Sequence, residues 1–133
     1  MDTEALVDEL KDDGRMLVEE LLQGGFEVTA ALWLQASENG KWYFYLVSPV
    51  VDIEGLNKAY RRLHPLVYAI PLSRLSPLEV KLIGPSNPIA HDVMAIPRRV
   101  PGSRVGPAWW GGRQLGNISI EGAFLYPVPV TTP

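Results

Sequence analysis

The stretch of sequence that decides the fold is residues 26–48, which read FEVTAALWLQASENGKWYFYLVS. Two runs of aliphatic and aromatic residues flank the pair Asn39-Gly40. This arrangement is the strongest short-range signal for a β-hairpin, because a type I′ turn needs positive φ at both of its central residues. The sequence therefore predicts antiparallel strands over residues 27–36 and 41–48, and the rest of the fold should pack on them.

The length of the turn decides which residues face one another. A two-residue turn at 39–40 places Glu38 opposite Lys41 and Trp33 opposite Leu46. A three-residue loop that starts at Glu38 is the alternative, and it would shift the register by one residue and exchange the two faces. Both faces of the hairpin carry apolar side chains. We therefore expect it in the middle of the sheet and not at an edge.

Composition narrows the class of protein. The chain has 133 residues, 47% of them hydrophobic, with no cysteine and a net charge of −3. This length is typical of one domain, and the apolar content excludes a disordered chain. Without cysteine there is no disulfide framework and no thiolate metal site. We see neither a secretory signal nor a run of about 20 apolar residues, so we expect a cytoplasmic protein that does not enter a membrane.

One helix is predicted before the hairpin and another after it. Leucines at helical spacing over residues 3–23 predict an amphipathic N-terminal helix that ends at Gly24-Gly25. Gly14 in its middle permits a break, after which Asp13 would cap the second half. A second helix should begin with Asp52 as its cap and stop near His64, because a proline follows.

The remainder of the chain predicts an α+β fold. Alternating residues 78–83 predict a strand, and Asn87 caps a short helix that ends at Pro97. Residues 98–113 predict a long mobile loop, residues 115–127 a strand with a bulge or tight turn at Glu121-Gly122, and residues 127–133 a frayed tail. The expected fold is one α+β domain over residues 1–133. Its central antiparallel or mixed sheet is built on the 26–48 hairpin and packed by the N-terminal helix and two shorter helices.

Several short motifs resemble a family of small uncharacterised bacterial proteins. They are Ala30-Ala31-Leu32-Trp33, then Trp42, then Ser48-Pro49 with Asp52, and Ala59-Tyr60-Arg61-Arg62. The resemblance covers most of the chain and implies a bacterial, intracellular, single-domain protein. It implies no function.

One motif points towards metal-dependent hydrolysis. Glu79-Val80-Lys81 on a predicted strand resembles the E-x-K half of the PD-(D/E)xK nuclease signature. In that family two acids bind Mg²⁺ and the lysine helps to position or activate water. Asp52 is the candidate second acid, although it follows the second hairpin strand where the family's aspartate precedes or opens it. The simpler interpretation is a solvent-facing Glu and Lys on a half-exposed strand.

A second cluster points towards binding. Residues 93–120 contain four arginines and no acid, and they also contain a tryptophan pair. Arginine and tryptophan are enriched at interface hot spots. The candidate binding residues are Arg98, Arg99, Arg104, Trp109, Trp110 and Arg113. The alternatives are that one tryptophan packs into the core and anchors the loop, or that the cluster stacks on a base or sugar. Four arginines are too few for non-specific nucleic-acid binding, so we do not expect that partner.

Several common catalytic and cofactor motifs are absent from the sequence. His64 and His91 are the two histidines, and their surroundings lack the close ligand pairs of a zinc site. There is no P-loop, no dinucleotide fingerprint and no Gly-x-Ser-x-Gly elbow. We therefore expect no metal and no cofactor. The predicted function is a non-enzymatic interaction or accessory domain that binds a protein partner or itself, and the alternative is a Mg²⁺-dependent nuclease-like hydrolase.

Overall fold

The predicted hairpin lies at the centre of the fold. The computed structural model describes residues 8–38, 40–71, 74–99, 108–110, 114–116 and 118–126. In chain order, its elements are α1 (Asp8–Gln23), β1 (Ala30–Ala36), β2 (Trp42–Val47), α2 (Pro49–Glu54), α3 (Leu56–Tyr68), the 3₁₀ helix Pro77–Glu79, β3 (Val80–Ile83), α4 (Pro88–Arg99), β4 (Ala108–Trp110), β5 (Gln114–Leu115) and β6 (Ile118–Tyr126). β1 pairs antiparallel with β2 on one side and with β6 on the other, so the prediction of a central hairpin is confirmed.

The sheet is mixed. Its strand order is β3-β2-β1-β6-β4, and β5 pairs with the first residues of β6. β2 and β3 are parallel and are joined through α2 and α3, whereas the other pairs are antiparallel. The α+β class with an N-terminal helix is thus confirmed.

The hairpin register differs from both predictions. Trp33 pairs with Phe44, and the Ala36 N–H donates to the Lys41 carbonyl at 3.1 Å, so four residues separate the last paired positions of the two strands. Gly40, with φ +69°, donates its N–H to the carbonyl of Ala36 at 2.9 Å. The Gln35 amide donates to the Gly40 carbonyl at 3.0 Å, so a side chain from the strand closes the loop. The shift from the predicted two-residue turn is two residues, which leaves each strand side chain on its predicted face.

Helices cover both faces of the sheet. On one face α1, α2 and α3 bury a core centred on Trp33 and Phe44, each 0% exposed. On the other face α4 packs Ile89 and Val93 against Leu32 of β1. β1 supplies both cores because successive side chains of a strand point to opposite faces. Burial of each large side chain stabilises the fold by about 1.5–3 kcal/mol.

The first helix is continuous, so the break that Gly14 permits does not occur. A Cβ at Gly14 would lie 2.5 Å from the Tyr126 hydroxyl, so this glycine admits the tyrosine against the helix. Asp13 does not cap a second half. Its buried carboxylate accepts the backbone N–H groups of Arg74 and Leu75 at 2.7 and 2.9 Å. Both residues therefore serve long-range contacts that local rules do not reveal.

The predicted second helix is two helices. Ser48 caps α2 by accepting the Val50 N–H at 3.2 Å, so the prediction of Asp52 as the cap is wrong. α3 continues through Pro65 to Tyr68, beyond the predicted stop near His64. Pro65 is exposed and has no backbone N–H to donate. Burial of core residues on either side of it keeps this turn of α3 helical.

The second half of the chain departs from prediction mainly at element ends. β3 starts at Val80 rather than 78, because residues 77–79 form the 3₁₀ helix. Asn87 caps α4 as predicted, accepting the Ile89 N–H at 2.8 Å, but the helix runs past Pro97 to Arg99. Residues 108–110 are a strand where a loop was predicted.

The bulge at Glu121-Gly122 is confirmed by the register shift between β6 and β1, in which Gly122 pairs with Gln35 and Ile120 with Ala36. The predicted mobility of residues 100–107 and 111–113, and the predicted fraying of 127–133, concern residues outside those described.

Candidate functional site

Glu79, the first of the three residues of the hydrolase alternative, has a structural role. Its carboxylate accepts the Ser76 backbone N–H at 3.1 Å, and the Ser76 hydroxyl accepts the Leu78 N–H at 3.2 Å. This reciprocal pair is a capping box around the 3₁₀ helix. The carboxylate therefore points back along the chain and away from β3.

The other two hydrolase residues are also engaged elsewhere. The Lys81 ammonium lies 5.1 Å from the centre of the Tyr43 ring, and Asp52 accepts the Ser86 N–H and hydroxyl at 3.1 and 2.9 Å. Asp52 contacts Gly84, which directly follows the end of β3, whereas Glu79 directly precedes the start of β3. The four residues of extended chain in β3, at about 3.3 Å each, separate these points by about 13 Å. The structure therefore does not bring the three side chains together.

Within the described ranges, no group of three or more His, Cys, Asp or Glu side chains could hold a metal ion.

Tyr45 is also unsuited to base catalysis. Burial, and then the neighbouring Tyr43 and Tyr60, raise the pKa of Tyr45, which moves the phenol away from the neutral range that a general base requires.

The predicted arginine and tryptophan cluster is only partly described. Trp109 and Trp110 lie on edge strand β4, with their backbones opposite Phe124 and Ala123 of β6. Arg98 and Arg99 are the last two residues of α4. Arg104 and Arg113 lie outside the described residues. The proposed binding role of this cluster stays a prediction.

Helix α3 carries an aromatic stripe that the sequence interpretation did not identify. Tyr60, His64 and Tyr68 follow one another at four-residue spacing, with ring-centre distances of 5.4 and 6.2 Å. Residues four apart lie on the same face of a helix, so the three rings form one continuous strip. Tyr68 is 67% exposed, whereas large aromatic side chains usually bury most of their surface.

The stripe follows the edge of the sheet. The Tyr60 hydroxyl accepts the N–H of Leu82 in edge strand β3 at 2.9 Å, which holds α3 against that strand. A helix that joins two parallel strands runs antiparallel to them. Tyr68 therefore lies about 12 Å from Tyr60 towards the start of β3, and Leu78 lies on the same side of Leu82, in the 3₁₀ helix that precedes β3. Leu78 is 83% exposed, and its 3₁₀ helix contacts α3.

Positive charge accompanies the stripe. Helix α3 contains Lys58, Arg61 and Arg62 and no acid. Arg62 pairs with Glu54 at 2.9 Å. In the part of the chain that the structure describes, neither Lys58 nor Arg61 forms an ion pair, and both are exposed. Clustered cations without partners give this surface a positive potential.

Comparisons of the chain with protein-family models, with curated proteins and with solved structures find no match. The resemblance to small bacterial proteins stays a prediction. Among the described helices, none combines the length and the apolar character needed to cross a bilayer.

Proposed function

We propose that this protein is a non-enzymatic interaction domain that binds an acidic polypeptide segment. The binding site is the α3 surface, which we define as Lys58, Arg61, His64, Tyr68 and Leu78. The observation that carries the proposal is the exposure of Tyr68 and Leu78 at the same end of this surface, at 67% and 83%. Burying them against a partner would remove apolar area from water at about 25 cal/mol per Å².

The charges define the chemistry of the partner. Lys58 and Arg61 are exposed on the helix that carries the stripe, and no acid of α3 neutralises them. Tyrosine and arginine together are characteristic of binding hot spots, in which an aromatic ring supplies area and a cation supplies orientation. An acidic segment would be attracted by the two cations, whereas a basic one would be repelled.

Site-specific photocrosslinking in native cells tests the proposal. A benzophenone amino acid replaces Tyr68, and the control places it at Glu38, which is exposed in the hairpin loop. Neither position contributes to the core, so both proteins should fold. We expect a crosslink at position 68 but not at 38, mapped by mass spectrometry to a segment with an excess of acids. The double variant Lys58→Glu/Arg61→Glu should lose it and bind the purified segment at least about tenfold more weakly.

Three outcomes would overturn this function: no crosslink at position 68, equal crosslinking at both positions, or a crosslinked segment without an acidic excess. A crosslink that survives charge reversal would overturn it as well. Capture of a protein at position 68 supports the proposal only together with the loss of binding in the double variant.

A further inference from the structure

Helix α1 has the opposite charge pattern to α3. Its exposed face carries five acids, which are Asp8, Glu9, Asp12, Glu19 and Glu20. The first three pair with Lys11, Arg74 and Arg15 respectively. Within the described residues, Glu19 and Glu20 form no ion pair. The second half of α1 is therefore an exposed anionic strip.

The two helices share one layer of the molecule. α1 and α3 contact each other and bury their apolar faces in the same core. A Cβ at Gly24, just after α1, would lie 3.4 Å from the Leu66 side chain of α3. No ion pair of the described part joins α1 to α3. The outer surface of this layer thus carries an anionic strip, Glu19 and Glu20, on α1 and a cationic strip, Lys58 and Arg61, on α3.

We infer that the acidic segment that binds the α3 surface is helix α1 of a second copy of this chain. This inference rests on the proposed function and names its partner. A two-fold axis in the contact plane, midway between the two strips and perpendicular to the line that joins them, would place the α1 strip of each copy on the α3 strip of the other. Both contacts are then acid on base, and the same surface serves both copies, as closed two-fold symmetry requires.

Other arrangements of the same two surfaces are disfavoured by charge. An in-plane axis that runs along the line through both strips would place Glu19 and Glu20 on their own counterparts, and Lys58 and Arg61 on theirs. Such like-charge contacts are unfavourable and act against that alignment. The dimer should also be salt-sensitive, because exposed charges are screened over about 8–10 Å at physiological ionic strength.

A charge-swap experiment tests this geometry by sedimentation velocity on the full chain at low salt. The first variant, Lys58→Glu/Arg61→Glu, makes both strips acidic. The second, Glu19→Lys/Glu20→Lys, makes both strips basic. We expect each variant alone to be monomeric at concentrations where the wild type is dimeric. An equimolar mixture should restore a dimer with a dissociation constant within about threefold of the wild type, because both contacts of the mixed dimer are again acid on base.

Glu38→Lys is the control, because it reverses an exposed acid outside the helical layer and should dimerise like the wild type. Circular dichroism and thermal unfolding verify that each variant is folded. If charge reversal unfolds one, the neutral variants Lys58→Gln/Arg61→Gln and Glu19→Gln/Glu20→Gln should each raise the dissociation constant at least about fivefold.

The inference is overturned if the wild type stays monomeric up to about 1 mM, which corresponds to about 4 kcal/mol of binding free energy. It is also overturned if the mixture associates no better than the separate variants. These results are distinct from a failure of the proposed function. A monomeric wild type whose position 68 crosslinks to another acidic protein would retain the function and reject the dimer, whereas no crosslink at all would reject both.

Discussion

The substitution Gly14→Ala tests whether helix propensity or tertiary packing governs the centre of α1. In an isolated helix, alanine is more favourable than glycine by about 1 kcal/mol. Here a Cβ would lie 2.5 Å from the Tyr126 hydroxyl and 2.9 Å from Cε1 of Phe44. Contacts below 3.0 Å require atoms to move, so the outcome depends on how firmly these two rings are held.

Both rings are held firmly. The Tyr126 hydroxyl donates to the Lys11 carbonyl at 2.7 Å and accepts the Trp33 indole N–H at 3.1 Å. Trp33 is 0% exposed, so displacing the hydroxyl leaves a buried donor without this acceptor, at a cost of about 1–3 kcal/mol. Overpacking adds about 1–3 kcal/mol, against the propensity gain of about 1 kcal/mol. We expect Gly14→Ala to lower the free energy of unfolding by about 2 kcal/mol.

Urea unfolding followed by tryptophan fluorescence measures this change, provided that the slope with urea stays constant. A comparison of Arg15→Ala with Arg15→Gly gives the local propensity difference at an exposed neighbour, where alanine should be the more stable by about 1 kcal/mol. In a Tyr126→Phe background, the cost of Gly14→Ala should fall by about 1 kcal/mol, because the hydroxyl oxygen that lies nearest to the new Cβ is absent. A Gly14→Ala protein more stable than the wild type, or an equal cost in both backgrounds, would refute the reasoning.

The remaining predictions concern polar side chains that form specific hydrogen bonds in the fold. Asp13→Ala removes a carboxylate that is 2% exposed from two backbone donors, so we expect a loss of about 3 kcal/mol in urea unfolding. The exposed control Asp12→Ala should lose less than about 0.5 kcal/mol, and similar values for the two would contradict this account. Glu79→Ala opens the capping box at Ser76 and should cost about 1 kcal/mol, while leaving the helix content by circular dichroism nearly unchanged; an effect near zero would argue against the cap. Burial raises the pKa of Tyr126 above its ordinary value of 10.0. Above pH 10 the unfolded chain therefore loses this proton before the folded protein does, and stability falls by at most about 1.4 kcal/mol per pH unit. Tyr126→Phe should show a shallower alkaline decline, and an unchanged slope would contradict the predicted shift.

The sequence alone established the elements with strong local signals. Apolar residues on both faces of 26–48 predicted a central hairpin, because a strand that is apolar on both sides can be buried only between two layers. The Asn87-Pro88 cap and the bulge at Glu121-Gly122 were also predicted, since each depends on residues within one or two positions. The fold class followed from these elements.

Some signals of the site were present in the sequence but were interpreted otherwise. Ser76 and Glu79 have the spacing of a capping box, which accounts for Glu79 without a metal. Tyr60, His64 and Tyr68 have helical spacing, but the expected stop near His64 removed Tyr68 from the helix. That error came from a local rule for proline which burial of the α3 core face overrides.

Tertiary structure decided what no local rule could reach. The hairpin register depends on the Gln35 side chain, which reaches the Gly40 carbonyl, and the space beside Gly14 of α1 is occupied by Tyr126, more than a hundred residues later. The proximity of the acidic α1 to the basic α3 likewise arises only when both bury their apolar faces in one core. Sequence patterns determine which residues must be buried and whether the apolar residues of each segment recur with the period of a helix or of a strand. The direction from which a distant side chain arrives depends on the packing of the whole chain, because each contact is made by residues that are neighbours only in space.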